Sequence, residues 1–236
     1  MPNWCNNELR ITGDKAELEG FRAFARGSGV QWDQESNDVD SGGQTVRYVE
    51  DLDFSKFICP TQKELDKPYG SGEAYGYHWC VDTWGTKWNA CDICVYPSED
   101  HTGDGEIEDE LIYSFCTAWS PISQKLFDQM REMFPRLDFA YRFYEEGCMF
   151  VGEAEHNETI QGFTAPDSDE MRRVIEIYKH HACEEDKLGD EDDLLSDIYC
   201  DFFDAWATDE NLYFAGGCFY WQPFGDEEIV LKEGTY

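Results

Sequence analysis

The residues best suited to chemistry are Cys91 and Cys94, at C-x-x-C spacing within VDTWGTKWNACDICVY, with His78, Cys80 and His101 close in sequence. Such a pair chelates zinc when a turn brings both sulfurs to about 2.3 Å from one ion. It does disulfide chemistry when a following helix N-terminus lowers a thiol pKa. The stretch offers neither context. Residues 81–96 read as one long central strand, on which positions three apart face opposite ways. Trp84, Trp88, Cys94 and Tyr96 then share one face, with Lys87, Asn89, Cys91, Ile93 and Val95 on the other. No second C-x-x-C completes four ligands, and neither a metal nor a cofactor is expected.

Other candidates fail on similar counts. The segment from Asp100 carries Asp104, Gly105 and Ile107 where a calcium loop has them, but Leu111 stands where the bidentate glutamate belongs. His180 and Cys183 lie one helical turn apart with no second pair. Glu145, Glu146, Glu153 and Glu155 could supply paired carboxylates, but a chain with 51 acidic residues produces such pairs by chance. There is no phosphate-binding, dinucleotide-binding or nucleophile-elbow motif, so the reading favours a binding protein over an enzyme. One binding option is an aromatic sheet face in which Trp84, Lys87, Trp88 and Trp119, joined by Tyr113 and Phe115, stack on a small ligand or nucleotide. The competing option is that C-terminal helices cover that face and make it a second core.

The elements that must position these residues follow from periodicity. Leu9 and Ile11 alternate with Glu8 and Arg10 as in a half-buried strand. Asp14 and Glu17 have capping-box spacing before a helix with Leu18, Phe21 and Ala25 on one stripe, closed by Gly27. Residues 28–76 read as an irregular insertion in which only Thr45 to Asp53 looks strand-like. After the strand at 81–96 and the loop SEDHTGDGEIEDE, residues 111–119 form another strand. Ser120 and Pro121 suit the start of a helix whose face carries Ile122, Leu126, Met130 and Met133, up to Pro135. Residues 137–144 alternate, and Gly147 can turn them into a hairpin. The order is βαββαβ plus an extra strand, which predicts an α+β, ferredoxin-like antiparallel sheet with two helices on one face. We expect this domain over 1–160. An acidic elaboration over 161–236, packing on it, is expected to hold two amphipathic helices (Met171, Val174, Ile175, Tyr178; Leu195, Ile198, Phe202, Trp206) and aromatic strands around Gly216-Gly217.

The tracts MPNWCNNELRITG, LDFSKFICPTQKEL, WGTKWNA, TAWSPI, FPRLDFAY and YEEGCMFVG, in this order, resemble the YubB-type, Api-like ferredoxin-like domain family carried by phages and conjugative plasmids. The resemblance spans roughly residues 1–155. It implies a ferredoxin-like fold and an origin in a mobile element or prophage, and it supplies no catalytic residues. Cys59-Pro60-Thr61 departs from the P-x-P more usual in the first loop.

Charge bears most directly on partners. With 18 basic and 51 acidic residues the formal net charge is -33, and such a surface repels phosphate backbones and anionic headgroups. Direct binding to nucleic acid or membrane is therefore not expected, and no stretch approaches the ~18 apolar residues of a membrane span. The start has no signal-peptide pattern, so a cytoplasmic protein with reduced thiols is expected. The charge is also uneven. Residues 161–236 hold 20 acids and 5 bases, and 1–160 hold 31 and 13. The densest tract contains Glu184, Glu185, Asp186, Asp190, Glu191, Asp192, Asp193, Asp197, Asp201 and Asp204 against one lysine; Asp104, Glu106, Glu108, Asp109 and Glu110 form a second. These tracts are the expected contact surface for a basic host protein that handles nucleic acid.

Overall fold

The computed structural model describes residues 3–30, 49–66, 75–97, 109–145, 147, 150–155, 158–164, 198, 212–215, 218–221 and 229–231. Alternation in the opening tract yields β1 (Trp4–Thr12), which buries Cys5, Asn7, Leu9 and Ile11. In α1 (Lys15–Ala25) the stripe Leu18, Phe21 and Ala25 is buried, although Asp14 makes no side-chain cap bond. The insertion contributes a 3-10 turn (Phe54–Lys56), α2 (Gln62–Leu65) and α3 (Tyr75–Trp84). Then come β2 (Cys91–Pro97), β3 (Glu110–Ala118), α4 (Gln124–Met133), β4 (Asp138–Glu145), β5 (Phe150–Ala154) and β6 (Gln161–Thr164).

These strands are ordered β2-β3-β1-β4-β5-β6, and the pairs β2–β3, β3–β1 and β1–β4 are antiparallel. Along β1, α1, β2, β3, α4 and β4 this is the split βαββαβ arrangement, so the fold is α+β and ferredoxin-like. A three-stranded antiparallel sheet is formed by β7 (Leu212–Ala215), β8 (Cys218–Trp221) and β9 (Ile229–Leu231). The chain divides into two compact units: Met1–Gly147 with Gly152–Ile160, and Cys148–Val151 with Gln161–Tyr236. Of the two helices expected over 171–206, only Ile198 lies among the described residues, where it is helical and buried. No helix among the described residues is long and apolar enough to cross a membrane.

The core lies on one face of the sheet. Phe21 sits at its centre, with ring centroids 5.6 Å from Phe57, 5.9 Å from Tyr113, 5.0 Å from Phe134 and 5.7 Å from Phe139. α4 adds buried Leu126, Phe127 and Met130. The insertion is part of this layer, since Phe54 bridges Phe115 (6.0 Å) and Trp84 (5.9 Å). Each such aromatic buries on the order of 150–250 Å², which makes the cluster the main hydrophobic contribution to the domain.

Three expectations need correction. Residues 81–84 belong to a helix, Gly85 to Asn89 to a bend, and only Cys91–Pro97 to a strand, which lies at the sheet edge instead of its centre. α4 starts after Ser123, whose hydroxyl accepts from the Leu126 amide; Ser120 to Ile122 form the preceding turn, and Met133 is exposed. The C-x-x-C is not split between faces. Cys91 pairs with Cys116 and Cys94 with Ser114, so the register slips by one residue between them. Asp92, with φ 51°, is in the left-handed region within this bulge.

Candidate functional site

Asn7, in the NWCNN tract, is buried on the core side of β1. Its amide nitrogen donates to the Cys5 carbonyl (2.8 Å), the Thr117 hydroxyl (3.0 Å) and the Phe115 carbonyl (3.2 Å), and its oxygen accepts from the Tyr141 hydroxyl (2.5 Å). Tyr141 in turn accepts from the Ile122 amide (3.0 Å), and Thr117 donates to the Ser120 carbonyl (2.6 Å). One asparagine thus ties β1, β3 and β4 to the turn that launches α4. Buried polar groups persist only when satisfied in this way.

Asp53, of the LDFSKF tract, is a second buried node. Its carboxylate accepts from the Ser55 amide (3.0 Å) and hydroxyl (2.6 Å), the Asn89 amide nitrogen (2.9 Å) and the Gly29 amide (2.9 Å). Asn89 closes the loop by accepting from the Phe54 amide (2.8 Å). The remaining WGTKWNA residues are structural as well. Trp84 donates its indole N–H to the Ile58 carbonyl (3.0 Å), and buried Thr86 exchanges bonds with the Ala118 amide and carbonyl. The tracts that carry the resemblance therefore meet in space, and their shared task is to fix the insertion and the α3–β2 bend to the ends of β1 and β3.

The expected ligand-binding residues separate. Trp84, the last residue of α3, is buried against Phe54 of the insertion, and Tyr113 and Phe115 point into the core, so these three do not form an aromatic platform on an open sheet face. The opposite face of β1, β3 and β4 instead carries Asn6, Glu8, Arg10, Ser114, Arg142 and Tyr144. Lys87 and Trp119 do come together, at the end of the sheet. The Lys87 ammonium lies 3.7 Å from the Trp119 ring centroid and 5.6 Å from that of Tyr77. Trp88 packs edge-on against Trp4 at 6.2 Å. Trp4 and Trp119 are each more than two-fifths exposed. Trp119 also holds φ 74°, with its backbone N–H donating to the Asn3 carbonyl oxygen (2.9 Å), a conformation costing a non-glycine residue about 1–3 kcal/mol. The result is a half-exposed indole, Trp119, under one cation, and a separate edge-on pair of indoles, Trp4 with Trp88. Sequence reasoning missed Trp4, Tyr77, Asn7, Asp53 and Asn89; the signal available for the last three was polar residues inside otherwise apolar tracts.

Of the expected acidic surface, the ten acids between Glu184 and Asp204 and Asp104, Glu106 and Glu108 lie outside the described residues, as do the calcium-like loop from Asp100 to Glu108 and His180 with Cys183. Asp109 is exposed, and Glu110 sits in β3, paired with Arg10 at 3.2 Å. Arg26 pairs with Asp51, Arg131 with Asp128 and Arg136 with Glu17, so these described cations are already matched to carboxylates. No group of three or more metal-ligating side chains capable of holding an ion occurs among the described residues.

The thiols differ in environment. Burial, with Asp92 and Cys116 adding to it, pushes the Cys91 thiol up to about 11, and burial raises Cys5 further still. Cys94 is exposed. Because the thiolate is the nucleophile, iodoacetamide at pH 8 is expected to label Cys94 first, Cys91 more slowly and Cys5 last, as read by peptide mass spectrometry. Equal labelling of all three would contradict this placement. A raised thiol pKa holds extra protons in the folded state, so its stabilising contribution is complete below about pH 9 and lost as pH rises towards 11.

Residues 84–187 match the family model described as the ferredoxin-like domain in Api92-like protein. That match begins at Trp84 and includes β2, β3, α4 and β4, while the NWCNN and LDFSKF tracts lie outside it. Among solved structures, the chain is similar to the crystal structure of a protein api92 from Yersinia pseudotuberculosis, with 10% identity, a TM-score of 0.48, and coverage of 70% of this chain and 99% of that one. No curated protein matches.

Proposed function

We propose that this is an acidic accessory protein of a mobile element that acts by protein–protein association. In this reading it occupies the phosphate-reading surface of a basic, nucleic-acid-handling host protein, such as a restriction, CRISPR or other defence factor, and thereby inhibits or redirects it. The observation that carries the reading is the net charge of -33, with ten carboxylates and one lysine between Glu184 and Asp204. The ion pairing of Arg10, Arg26, Arg131 and Arg136 supports it, because those cations are already engaged and do not offer a track for a phosphate backbone.

The test is capture of host proteins on the immobilised chain at low and at high salt, with the charge-neutralised chain in parallel. In that variant the ten acids of 184–204 become Asn or Gln. A nucleic-acid-binding protein retained at low salt and released at high salt is expected, and neutralisation should weaken its binding by roughly a hundredfold. Undiminished binding by the neutralised chain would remove the basis of the proposal.

A second reading rests on the strained, exposed Trp119 under Lys87: a small planar anionic ligand engages that indole and its cation, with Trp88, which packs on Trp4, as a further stacking surface. It predicts saturable quenching of tryptophan fluorescence by a nucleotide or related metabolite, lost in Trp88→Ala. A panel that produces no quenching eliminates this reading.

A further inference from the structure

The one-residue slip between β2 and β3 places thiols together in a way that plain strand alternation would not. Cys91 stands directly opposite Cys116, and Cys94 is opposite Ser114. Directly opposed residues of antiparallel strands have Cα atoms about 4.5–5.5 Å apart, inside the window of about 4.4–6.8 Å that a disulfide requires. Opposed side chains project to the same face. Here that is the face opposite the core, since Tyr113, Phe115 and Thr117 of β3 are buried on the other. The Cys91 thiol already lies against its partner, donating to the Cys116 carbonyl oxygen at 3.3 Å, while the Cys116 thiol donates to the Asn6 side-chain oxygen at 3.5 Å. Both residues are free thiols and neither is sealed in the core.

We propose that Cys91 and Cys116 form a cross-strand thiol pair that closes reversibly by exchange with a small-molecule disulfide of the glutathione type. One thiolate attacks a sulfur of R–S–S–R, forming a mixed disulfide and releasing one R–S⁻. The second thiolate attacks the protein sulfur of that mixed disulfide and releases the other R–S⁻. Two protein thiols are oxidised to one disulfide, one small disulfide is reduced to two thiols, and the two protons pass to the leaving thiolates. Closure would fasten the edge strand β2 to β3 at its bulge. Cys94 has no thiol opposite it, so a mixed disulfide formed there has no directly opposed partner to resolve it. Burial raises both thiols above the ordinary value, which keeps the exchange slow near neutral pH and lets it quicken as the solution becomes alkaline.

The test uses the full chain and oxidised glutathione at pH 8.5, followed by alkylation of the remaining thiols. A glutamate-specific protease then cuts after Glu99 and Glu110, separating the segment of Cys80, Cys91 and Cys94 from that of Cys116 unless a disulfide joins them. The expected product, in wild type and in Cys94→Ser alike, is a joined pair two hydrogens lighter than its parts. Cys91→Ser should abolish the join and leave glutathione on Cys116, and Cys116→Ser should leave it on Cys91. A join that survives Cys91→Ser overturns the pairing. So does wild-type protein in which Cys91 and Cys116 end unreacted or as separate glutathione adducts.

Discussion

Gly85→Ala is expected to lower stability by about 2–6 kcal/mol, a large part of the roughly 5–15 kcal/mol available to a domain. Gly85 has φ 86°, where a side chain is strained, and it lies against the turn before α4. A Cβ there would stand 2.4 Å from the Ser123 nitrogen and 2.7 Å from the Pro121 carbonyl oxygen. Both contacts are to backbone. That backbone is itself pinned, because the Ser123 amide donates to the Trp84 carbonyl (2.8 Å) and its hydroxyl to the Thr83 carbonyl (2.6 Å). Neither side can yield without breaking the junction of α3 and α4. Urea unfolding monitored by circular dichroism measures the effect, and an unchanged midpoint would mean that the bend relaxes freely.

Asn7→Ala is expected to cost about 2–4 kcal/mol. It leaves the Tyr141 hydroxyl without its acceptor and removes the donor shared by Cys5, Phe115 and Thr117. Asn7→Asp separates hydrogen bonding from shape. An aspartate fills the same volume but has only acceptors to offer to those three oxygens, so at neutral pH it should be worse than alanine. Burial and the surrounding acceptors would raise the carboxyl pKa in the folded state. The variant's stability is then greatest at low pH and lost as pH rises through that pKa. Paired urea titrations at pH 5 and pH 8 check this: a pH-independent loss would show that Asn7 acts through packing alone.

The parts of this fold that were legible in the sequence are those where one periodicity dominates. The alternation of Leu9 and Ile11, the stripe Leu18, Phe21 and Ala25, and the turn at Gly147 each have a single physical reading, and together they give the βαββαβ order. α3 was not legible because its buried residues, Gly76, Cys80, Thr83 and Trp84, have helical spacing but are mostly small or polar. Aromatic neighbours at 75, 77 and 79 instead suggest β structure. The bulge at Asp92 was hidden for a related reason. Strict period two assigns Cys91 and Cys94 to opposite faces, and only the register against β3 shows the extra residue. The removal of Trp84 from any sheet face follows from the first of these, since it ends α3, whereas Tyr113 and Phe115 are turned to the core by the alternation of β3 itself. Acidic density, by contrast, is a property of composition and needs no register to be read.

In the proposed function the tracts of the family resemblance hold the scaffold, and the acidic surface would engage a partner. The most direct test is competition between this protein and duplex DNA for the captured basic partner, followed by equilibrium binding at fixed salt. Mutual exclusion is predicted, with the apparent Kd for this protein rising in proportion to DNA concentration once the partner is saturated with DNA. A stable ternary complex, with Kd unaffected by DNA, would contradict it.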